Sequence, residues 1–420
     1  MTIRLAYGKT GLEVELPERV DVIEPRFESG AKDQLAAVRT VLQHPVGTQP
    51  LRSLVRSGDR VGIVFSDITR ATPYNVLLPA ILAEIPQVAE GDLTLYNATG
   101  THRQNSRREL EQILEPEVVE RYRIVQNDCE DAESHRYVGT TSGGNEVELL
   151  SDFLDCDVKI LTGFIEPHFF AGFSGGGKAV MPGLAGLRTV QHNHSARHMD
   201  HPMARWGVTD GNPVWEEVRE AAGFAGPLFL LNVALNKHQE ITAAFAGDYL
   251  EAHAAGCEYV KAHAMAKVDK PYDIVVTSNS GHPLDLNMYQ SVKGMSAAFQ
   301  IVKPGGHIII AAECWDGIPA HGKYGQLLSE ASSLEELLER IRTPGFVMQD
   351  QWQAQIHALI CSAATVHFHS KNLSDGQIEN AFMRPCGDIA GRVRELVHAL
   401  GGEARICVLP EGPQTIPYIR

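Results

Sequence analysis

Short runs of apolar, mostly β-branched residues recur along the 420-residue chain, and each run ends in a polar or glycine-containing turn. Most runs are apolar at nearly every position, as in strands covered on both faces of a sheet. They predict strands at 60–67, 92–100, 158–164, 228–236, 272–280, 307–314, 364–370 and 404–410. Stretches between them predict helices at 75–85, 106–115, 248–266, 291–302 and 332–342. The alternation predicts an α/β protein whose mostly parallel sheets are flanked by helices.

A domain boundary is expected at 268–271, because the alternation of strand and helix begins again at Tyr272. The chain then consists of an N-terminal α/β domain, 1–268, and a C-terminal α/β domain, 269–420. Since small-molecule sites often lie between domains, we expect the active site in a cleft between these two.

Charge and cysteine content exclude several classes of protein. The 37 Lys and Arg against 52 Asp and Glu give a net charge of −15, with no basic block of the kind that neutralises nucleic-acid phosphates. The seven cysteines form no C-x-x-C pair, which argues against a disulfide framework or a cysteine-based zinc site. The N-terminus lacks the apolar core of a secretory signal, and no apolar run approaches bilayer length. We therefore expect a cytoplasmic protein without a membrane partner.

Two polar loops follow predicted strands, where open α/β sheets bind ligands. In the first, Asp67 and Thr69 can cap the helix after Pro73, and Arg70 beside a helix N-terminus suits an anion. An ordinary helix cap with a solvated arginine is the alternative. In the second loop, Gly100 allows a sharp turn that presents His102 at the strand end, although a lone loop histidine is often a surface residue.

The most informative stretch is the glycine-rich segment 163–183. It contains His168 and the glycines of 172–177, and it runs directly into Lys178. Such loops expose backbone N–H groups to an anion or let a flat ligand approach the main chain. The segment is not a Walker loop, because Ala179 stands where that motif needs Ser or Thr.

Two further clusters carry candidate ligands. Four histidines lie within 191–201 without the spacing of a zinc-binding helix, so we expect one metal ligand among otherwise surface or supporting groups. Gln290 and Lys293 are three residues apart near a helix start, which places them on one face and suits a carboxylate. A surface helix turn is the alternative for this pair.

Together these stretches resemble the nickel-pincer lactate racemase family, whose enzymes racemise or epimerise 2-hydroxy acids. The matching motifs are D-x-T-R-x-T-P at 67–73, G-T-H-R at 100–103, P-H-x-x-A-G-F-S-G-G-x-K-x-x-x-P-G at 167–183, N-H at 193–194 and Y-Q-x-x-K-G at 289–294. Each motif is weak by itself, whereas the five in this order are specific. The resemblance covers most of the chain.

The resemblance implies a nickel-pincer nucleotide cofactor, a pyridinium mononucleotide that carries nickel between two sulfurs and a carbon. It implies covalent attachment through Lys178, with His194 as the protein's nickel ligand. The residues implied to hold the ribose and phosphate are Asp67, Ile68, Thr69 and Arg70. The residues implied to bind the substrate are Gln290, Lys293, Tyr289 and Trp352. Of these, Trp352 has less support from the motifs than the other three. The N-terminal domain is then the cofactor-binding and catalytic one, and separate proteins synthesise the cofactor.

The implied reaction transfers a hydride reversibly from Cα to the pyridinium through a 2-keto acid, with His102 and His168 as general bases for the two enantiomers. Imidazole suits this task because its ordinary pKa of about 6.5 lies near the working pH. One alternative is a histidine-based, metal-dependent hydrolase built on His168 and the histidines of 191–201. Another is a nickel or anion carrier, supported only by the 18 histidines. Both leave the glycine-rich loop unexplained, and none of these hypotheses specifies which 2-hydroxy acid is the substrate.

Overall fold

A computed structural model describes residues 1–26, 28–319 and 322–419. The chain divides into two compact units. The N unit comprises Phe27–His194 and His201–Ala262, and the C unit comprises Met1–Arg26, Ser195–Asp200 and His263–Arg420. The first 26 residues, which the sequence places in the N-terminal domain, group with the C unit because the strand Asp21–Val22 pairs with its strand Ile406–Leu409.

The elements are numbered in chain order over the described residues. The strands are β1 (Thr2–Leu5), β2 (Leu12–Glu15), β3 (Asp21–Val22), β4 (Val61–Ser66), β5 (Leu93–Ala98), β6 (Arg123–Gln126), β7 (His135–Thr140), β8 (Glu146–Leu150), β9 (Val158–Phe164), β10 (Pro167–His168), β11 (Gly172–Phe173), β12 (Phe229–Leu235), β13 (Ile241–Asp248), β14 (Met265–Val268), β15 (Tyr272–Ser278), β16 (Val302–Ala311), β17 (Thr365–His369), β18 (Arg384–Pro385), β19 (Ile406–Leu409) and β20 (Ile416–Ile419). The helices are α1 (Gln34–Gln43), α2 (Leu51–Leu54), α3 (Tyr74–Glu84), α4 (Arg107–Leu114), α5 (Pro116–Arg121), α6 (Ser151–Leu154), α7 (Leu187–Asn193), α8 (Ala196–Met199), α9 (Pro213–Gly223), α10 (Tyr249–Ala264), α11 (Met288–Phe299), α12 (Tyr324–Glu330), α13 (Leu334–Arg342), α14 (Gln351–Ala363), α15 (Asp375–Asn380) and α16 (Ile389–Ala399).

The main sheet of the N unit has the strand order β13-β12-β9-β4-β5-β6. Its pairs are parallel except for β13, which lies antiparallel to β12. Successive residues of β4 enter different cores, with Ile63 and Phe65 in one and Val64 in the other. Both faces of the sheet are therefore covered, which explains why its strands are apolar at nearly every position.

The main sheet of the C unit has the order β18-β17-β16-β15-β19-β3, with every pair parallel. On β15, Val275 packs into one core while Ile274 and Val276 pack into another. The predicted α/β class, with mostly parallel sheets flanked by helices, is confirmed. Within the described residues, no helix combines the length and apolar character needed to cross a membrane.

All eight predicted strands and five predicted helices are present, most with ends that differ by one to three residues. The largest differences are at β16, which begins at Val302, before the predicted 307–314, and at α11, which begins at Met288, before the predicted 291–302. The start of α11 is fixed by Asn287, whose side chain accepts a hydrogen bond from the N–H of Gln290. Gln290 therefore lies in the first turn of a well-defined helix.

Candidate active site

Three loops of the N unit leave the same edge of its sheet. Strands β9, β4 and β5 are neighbours and run parallel, so their carboxyl ends lie side by side. The first loop contains Asp67, directly after β4, and the second contains His102, four residues after β5. His168 follows β9 in the short hairpin of β10 and β11. This edge is where an open parallel sheet presents its ligand-binding groups.

The side chains of Asp67 and His102 form a direct pair. His102 Nδ1 lies 2.6 Å from Asp67 Oδ2, while the other carboxylate oxygen accepts hydrogen bonds from the hydroxyl of Thr69 at 2.6 Å and its N–H at 3.2 Å. Asp67 and Thr69 thus hold the loop together and do not cap the following helix, as they were expected to do. Helix α3 begins after Pro73, which provides no side-chain cap.

Electrostatics favour the ionised form of Asp67, which is 3% exposed. Burial raises the pKa of this carboxyl, but the hydrogen bond from His102 and the charges of His102 and Arg70 outweigh it, so the pKa lies below its ordinary value. Arg70 also pairs with Glu166 at 3.4 Å, which connects the loop after β4 to the one after β9. A buried carboxylate that accepts from His102 Nδ1 holds the imidazole in one orientation.

His168 lies in an aromatic environment. Its ring stacks on Phe169 with centroids 5.0 Å apart and meets the edge of Phe170 at 4.6 Å. Its Nδ1 accepts a hydrogen bond from the backbone N–H of Ala171 at 3.2 Å. Phe170 also contacts His194 at 4.9 Å between ring centroids, and Lys178 Nζ lies 5.6 Å from its ring. One phenyl ring thus links three of the predicted site residues.

The glycine-rich loop is fixed from behind by two buried polar side chains. Asn232 accepts the N–H of Gly176 at 2.8 Å, and His253 Nε2 donates to the carbonyl of Ser174 at 2.8 Å. Gly176 has a φ of +58°, and a Cβ there would lie 2.7 Å from the His253 ring. Glycine is therefore required by both backbone conformation and space. Because its N–H is already bonded, Gly176 holds the loop that leads to Lys178 and does not present that N–H to an anion.

The histidines of 191–201 do not act as one group. His194 is buried directly after α7, with Nδ1 3.0 Å from Asn193 Oδ1, and His192 Nδ1 lies 3.3 Å from the buried Glu217. His198 groups with the C unit and His201 with the N unit. In the described parts of the chain, no three His, Cys, Asp or Glu side chains are arranged to hold a metal ion.

The predicted substrate-binding residues lie in the C unit. Tyr289, Gln290 and Lys293 are half-buried in the first turns of α11, and Trp352 is buried in the first turn of α14. These helix starts are joined because Gln353 Nε2 donates to the carbonyl of Tyr289 at 2.6 Å. The structure thus brings the four residues to two neighbouring helix starts.

Sequence reasoning missed several residues that shape the N-unit site. Glu166 and Phe170 lie inside the glycine-rich segment but carried no signal beyond their position. Asn232 and His253 reach the loop from β12 and α10, so only the tertiary fold reveals their function. A polar residue inside the apolar run of β12 was the one available signal for Asn232.

Comparison with known proteins identifies the family. Models of the lactate racemase N-terminal and C-terminal domains match residues 7–207 and 268–416. The chain is 35% identical over 421 residues to the lactate racemase of Thermoanaerobacterium thermosaccharolyticum, covering 99% of this chain and 98% of that protein. The chain belongs to the lactate racemase family. It is also 34% identical over 378 residues to the lactate racemase of Lactiplantibacillus plantarum, covering 89% of each.

Solved structures agree with this membership. The lactate racemase apoprotein from T. thermosaccharolyticum superposes with a TM-score of 0.93 at 34% identity, covering 99% of this chain and all of that one. A Thermotoga maritima protein of 16% identity, with a TM-score of 0.71 over 94% of this chain, shares the fold. The family resemblance expected from the five motifs is confirmed.

Proposed function

We propose that this lactate racemase family member racemises or epimerises a 2-hydroxy acid, and that lactate, named in its relatives, is the first substrate to test. The observation that carries the proposal is the hydrogen-bonded pair of His102 and buried Asp67. His102 follows β5 and His168 follows β9, and these two strands flank β4 in the sheet. Two imidazoles on flanking loops suit a reaction in which the hydroxyl of either enantiomer is deprotonated.

The chemistry of the residues present fits a nickel-pincer nucleotide. His194 is buried, and its Nδ1 bonds to Asn193 Oδ1, which makes Nε2 the nitrogen for a metal. Lys178 supplies an amine for covalent attachment. When bound, the pyridinium ring of this cofactor supplies a reversible acceptor for the Cα hydride.

The loop Asp67–Arg70 is assigned to the cofactor's ribose and phosphate. The guanidinium of Arg70 can bind a phosphate, which would compete with Glu166 for it. Ile68, in the same loop, is 36% exposed. Because both oxygens of Asp67 already accept hydrogen bonds from Thr69 and His102, Asp67 contributes by positioning these two residues.

The proton steps follow from the two histidines. His102 takes the hydroxyl proton of one enantiomer at Nε2, and the Asp67 carboxylate stabilises the resulting imidazolium. His168, which enters this direction protonated, gives its proton to the carbonyl oxygen of the planar 2-keto acid as the opposite enantiomer forms and is left neutral; in the reverse direction the two histidines exchange these tasks. The substrate carboxylate is assigned to Gln290 and Lys293, with Tyr289 and Trp352 packing against the substrate.

The proton steps are tested by His102→Asn and His168→Asn. Asparagine places its amide near the position of Nδ1, so each variant keeps the local bond to Asp67 or Ala171 and loses only Nε2. We expect kcat to fall by about 10²–10⁴-fold in each, while the exposed His44→Asn serves as a control at wild-type activity. Chiral chromatography of L- and D-lactate, followed by a panel of other 2-hydroxy acids, gives the rates. A holoenzyme that left every enantiopure compound unchanged would overturn the proposal.

The cofactor assignment is tested by Lys178→Ala. Co-expression with cofactor-synthesis proteins, which we propose are needed for the holo form, should add the nucleotide's mass to the wild type and not to the variant. Intact-mass spectrometry measures this directly. An equal mass increase in both proteins would contradict attachment through Lys178.

A further inference from the structure

A buried carboxylate lies behind His194 without contacting it. Glu217, on α9, is 5% exposed and accepts hydrogen bonds from Thr141 Oγ1 at 3.1 Å, Asn145 Nδ2 at 3.1 Å and Asn193 Nδ2 at 2.9 Å. Burying an acidic group is costly unless its oxygens are satisfied by donors. Glu217 is therefore held in one position by its donors, and it fixes those donors in turn.

The bond from Asn193 to Glu217 sets the orientation of the Asn193 amide. Its Nδ2 donates to two groups that can only accept, the Glu217 carboxylate and the carbonyl of Val214 at 3.1 Å. The amide oxygen must then face the other way, where it lies 3.0 Å from His194 Nδ1. Since that oxygen can only accept, Nδ1 of His194 carries the hydrogen, and the neutral ring has its lone pair on Nε2.

We propose that Glu217 and Asn193 are positioning residues that fix His194 in the tautomer a metal requires. The metal part of this inference rests on the proposed function, whereas the tautomer follows from the hydrogen bonds alone. Groups that orient a ligating histidine in this way generally tune metal affinity. The proposal assigns a task to a buried acid that the five sequence motifs leave out.

Asn145 offers a matched control. It donates to the same Oε2 atom of Glu217, but its other bonds go to the carbonyl of Thr189 and to Thr141, away from His194. A purely structural network predicts similar consequences for Asn145→Ala and Asn193→Ala. A relay to His194 predicts that only Asn193→Ala alters the imidazole.

The tautomer is measured on the apoprotein, without any cofactor. Nitrogen-15 NMR of histidine-labelled protein at neutral pH, with His194 assigned by its loss in His194→Gln, should show a protonated Nδ1 and an unprotonated Nε2. Asn145→Ala and Glu217→Gln should keep this pattern, because glutamine can present its oxygen to Asn193. Asn193→Ala and Glu217→Ala should give mixed tautomers. A wild-type His194 with its hydrogen on Nε2 would overturn the inference whether or not the variants fold.

The metal consequence is measured on the holoprotein by challenging it with EDTA and following nickel release by its absorbance and by metal analysis. We expect Asn193→Ala to release nickel about 10- to 100-fold faster than wild type, with Asn145→Ala and Glu217→Gln near wild type. If Asn193→Ala and Asn145→Ala released nickel at the same rate, the hydrogen bonds around Glu217 would have only a structural function, and the proposed relay to His194 would be refuted. If the tautomer is as expected but the wild type holds no nickel, the proposed cofactor fails and the tautomer assignment stands.

Discussion

The loops after β5 and β9 hold His102 and His168 in opposite ways. The side chain of His102 is 45% exposed and is held by one short bond to a buried carboxylate. His168 is 9% exposed, packed between Phe169 and Phe170, and held by a backbone N–H. The His102 side therefore depends on charge, and the His168 side on packing and backbone geometry.

These partners set opposite tautomers. The ionised carboxylate of Asp67 can only accept, so His102 carries its hydrogen on Nδ1 and its lone pair on Nε2. The N–H of Ala171 can only donate, so neutral His168 has its lone pair on Nδ1 and its hydrogen on Nε2. For His168 to take a proton at Nε2, its hydrogen must first move to Nδ1 and the bond from Ala171 must break. Ala171 is fully buried, so leaving its N–H without an acceptor costs about 1–3 kcal/mol, which is small against the barrier of a chemical step.

The largest expected effect comes from Asp67→Asn, which removes the negative charge beside His102. The N–H and hydroxyl of Thr69 donate to Oδ1, so the new amide would keep its oxygen there and turn its nitrogen toward His102. His102 Nδ1 must then accept, which moves its hydrogen to Nε2. We expect kcat to fall by about 10²–10⁴-fold.

Thr69→Val is the control for this substitution, because it removes a hydroxyl bond to Asp67 and leaves the bond to His102 in place. Since Thr69 is also assigned to the cofactor, the rates of both variants are expressed per molecule of bound cofactor, which intact-mass spectrometry measures. Its kcat should remain within about ten-fold of wild type, the scale of one ordinary hydrogen bond. Steady-state rates with both lactate enantiomers measure the difference. An Asp67→Asn enzyme as active as Thr69→Val would contradict a tautomer-setting carboxylate.

The second expected effect separates the two sides by pH. His253 supports the glycine-rich loop that follows His168, and burial lowers its pKa to about 4. The unfolded state then binds the proton more tightly than the folded state does. The contribution of neutral His253 to the free energy of unfolding is therefore fully present above pH 6.5 and is lost as the pH falls from 6.5 toward 4. The loss is at most about 3 kcal/mol. Asp67, whose pKa lies below its ordinary 3.8, loses its contribution only as pH falls below that value.

Urea unfolding between pH 7 and pH 3 tests this difference. His253→Gln keeps a donor for the Ser174 carbonyl and has no proton to gain, so its unfolding free energy should decline less than that of wild type between pH 6.5 and 4. Asp67→Asn should lack the decline that the Asp67 carboxylate gives to the wild type below about pH 3.8. Burial also lowers the pKa values of His357 and His367, to about 4 and 3. Their contribution to the pH dependence of the unfolding free energy is the same in all three proteins. An unchanged slope in His253→Gln would show that burial does not lower the pKa of His253 in the folded protein.

The sequence predicts the sheet cores well, since the apolar runs of β4, β9 and β15 have a single stable environment, the middle of a covered sheet. Edge and short elements were missed because their residues alternate weakly or are polar, as in β13. Helix α9 was missed despite Asn212-Pro213, a cap followed by proline at the first helical position. That omission also concealed Glu217, which lies on this helix.

The residues that bear the chemistry could be named from motifs, because His102, His168 and Lys178 follow strands in recognisable loops. What holds them could not be predicted in the same way. Asp67 was expected to cap a helix, yet its carboxylate binds His102 35 residues away. Asn232 and His253 are 56 and 79 residues from the backbone atoms that they bind. Such pairs depend on sheet order and helix packing, which a local pattern does not specify.

The smallest expected effect comes from Phe170→Leu, which alters the packing on the His168 side. Phe170 contacts His168, His194 and Lys178, and an aromatic contact contributes about 0.5–1.5 kcal/mol beyond its burial. We expect kcat/KM to fall by about ten-fold, equally for both enantiomers, because they have the same free energy in water. Phe173→Leu is the matched control, since Phe173 is as deeply buried in the same hairpin but stacks on none of the three. If both variants lost activity equally, general loosening of the hairpin, and not contact with His168, would explain the effect.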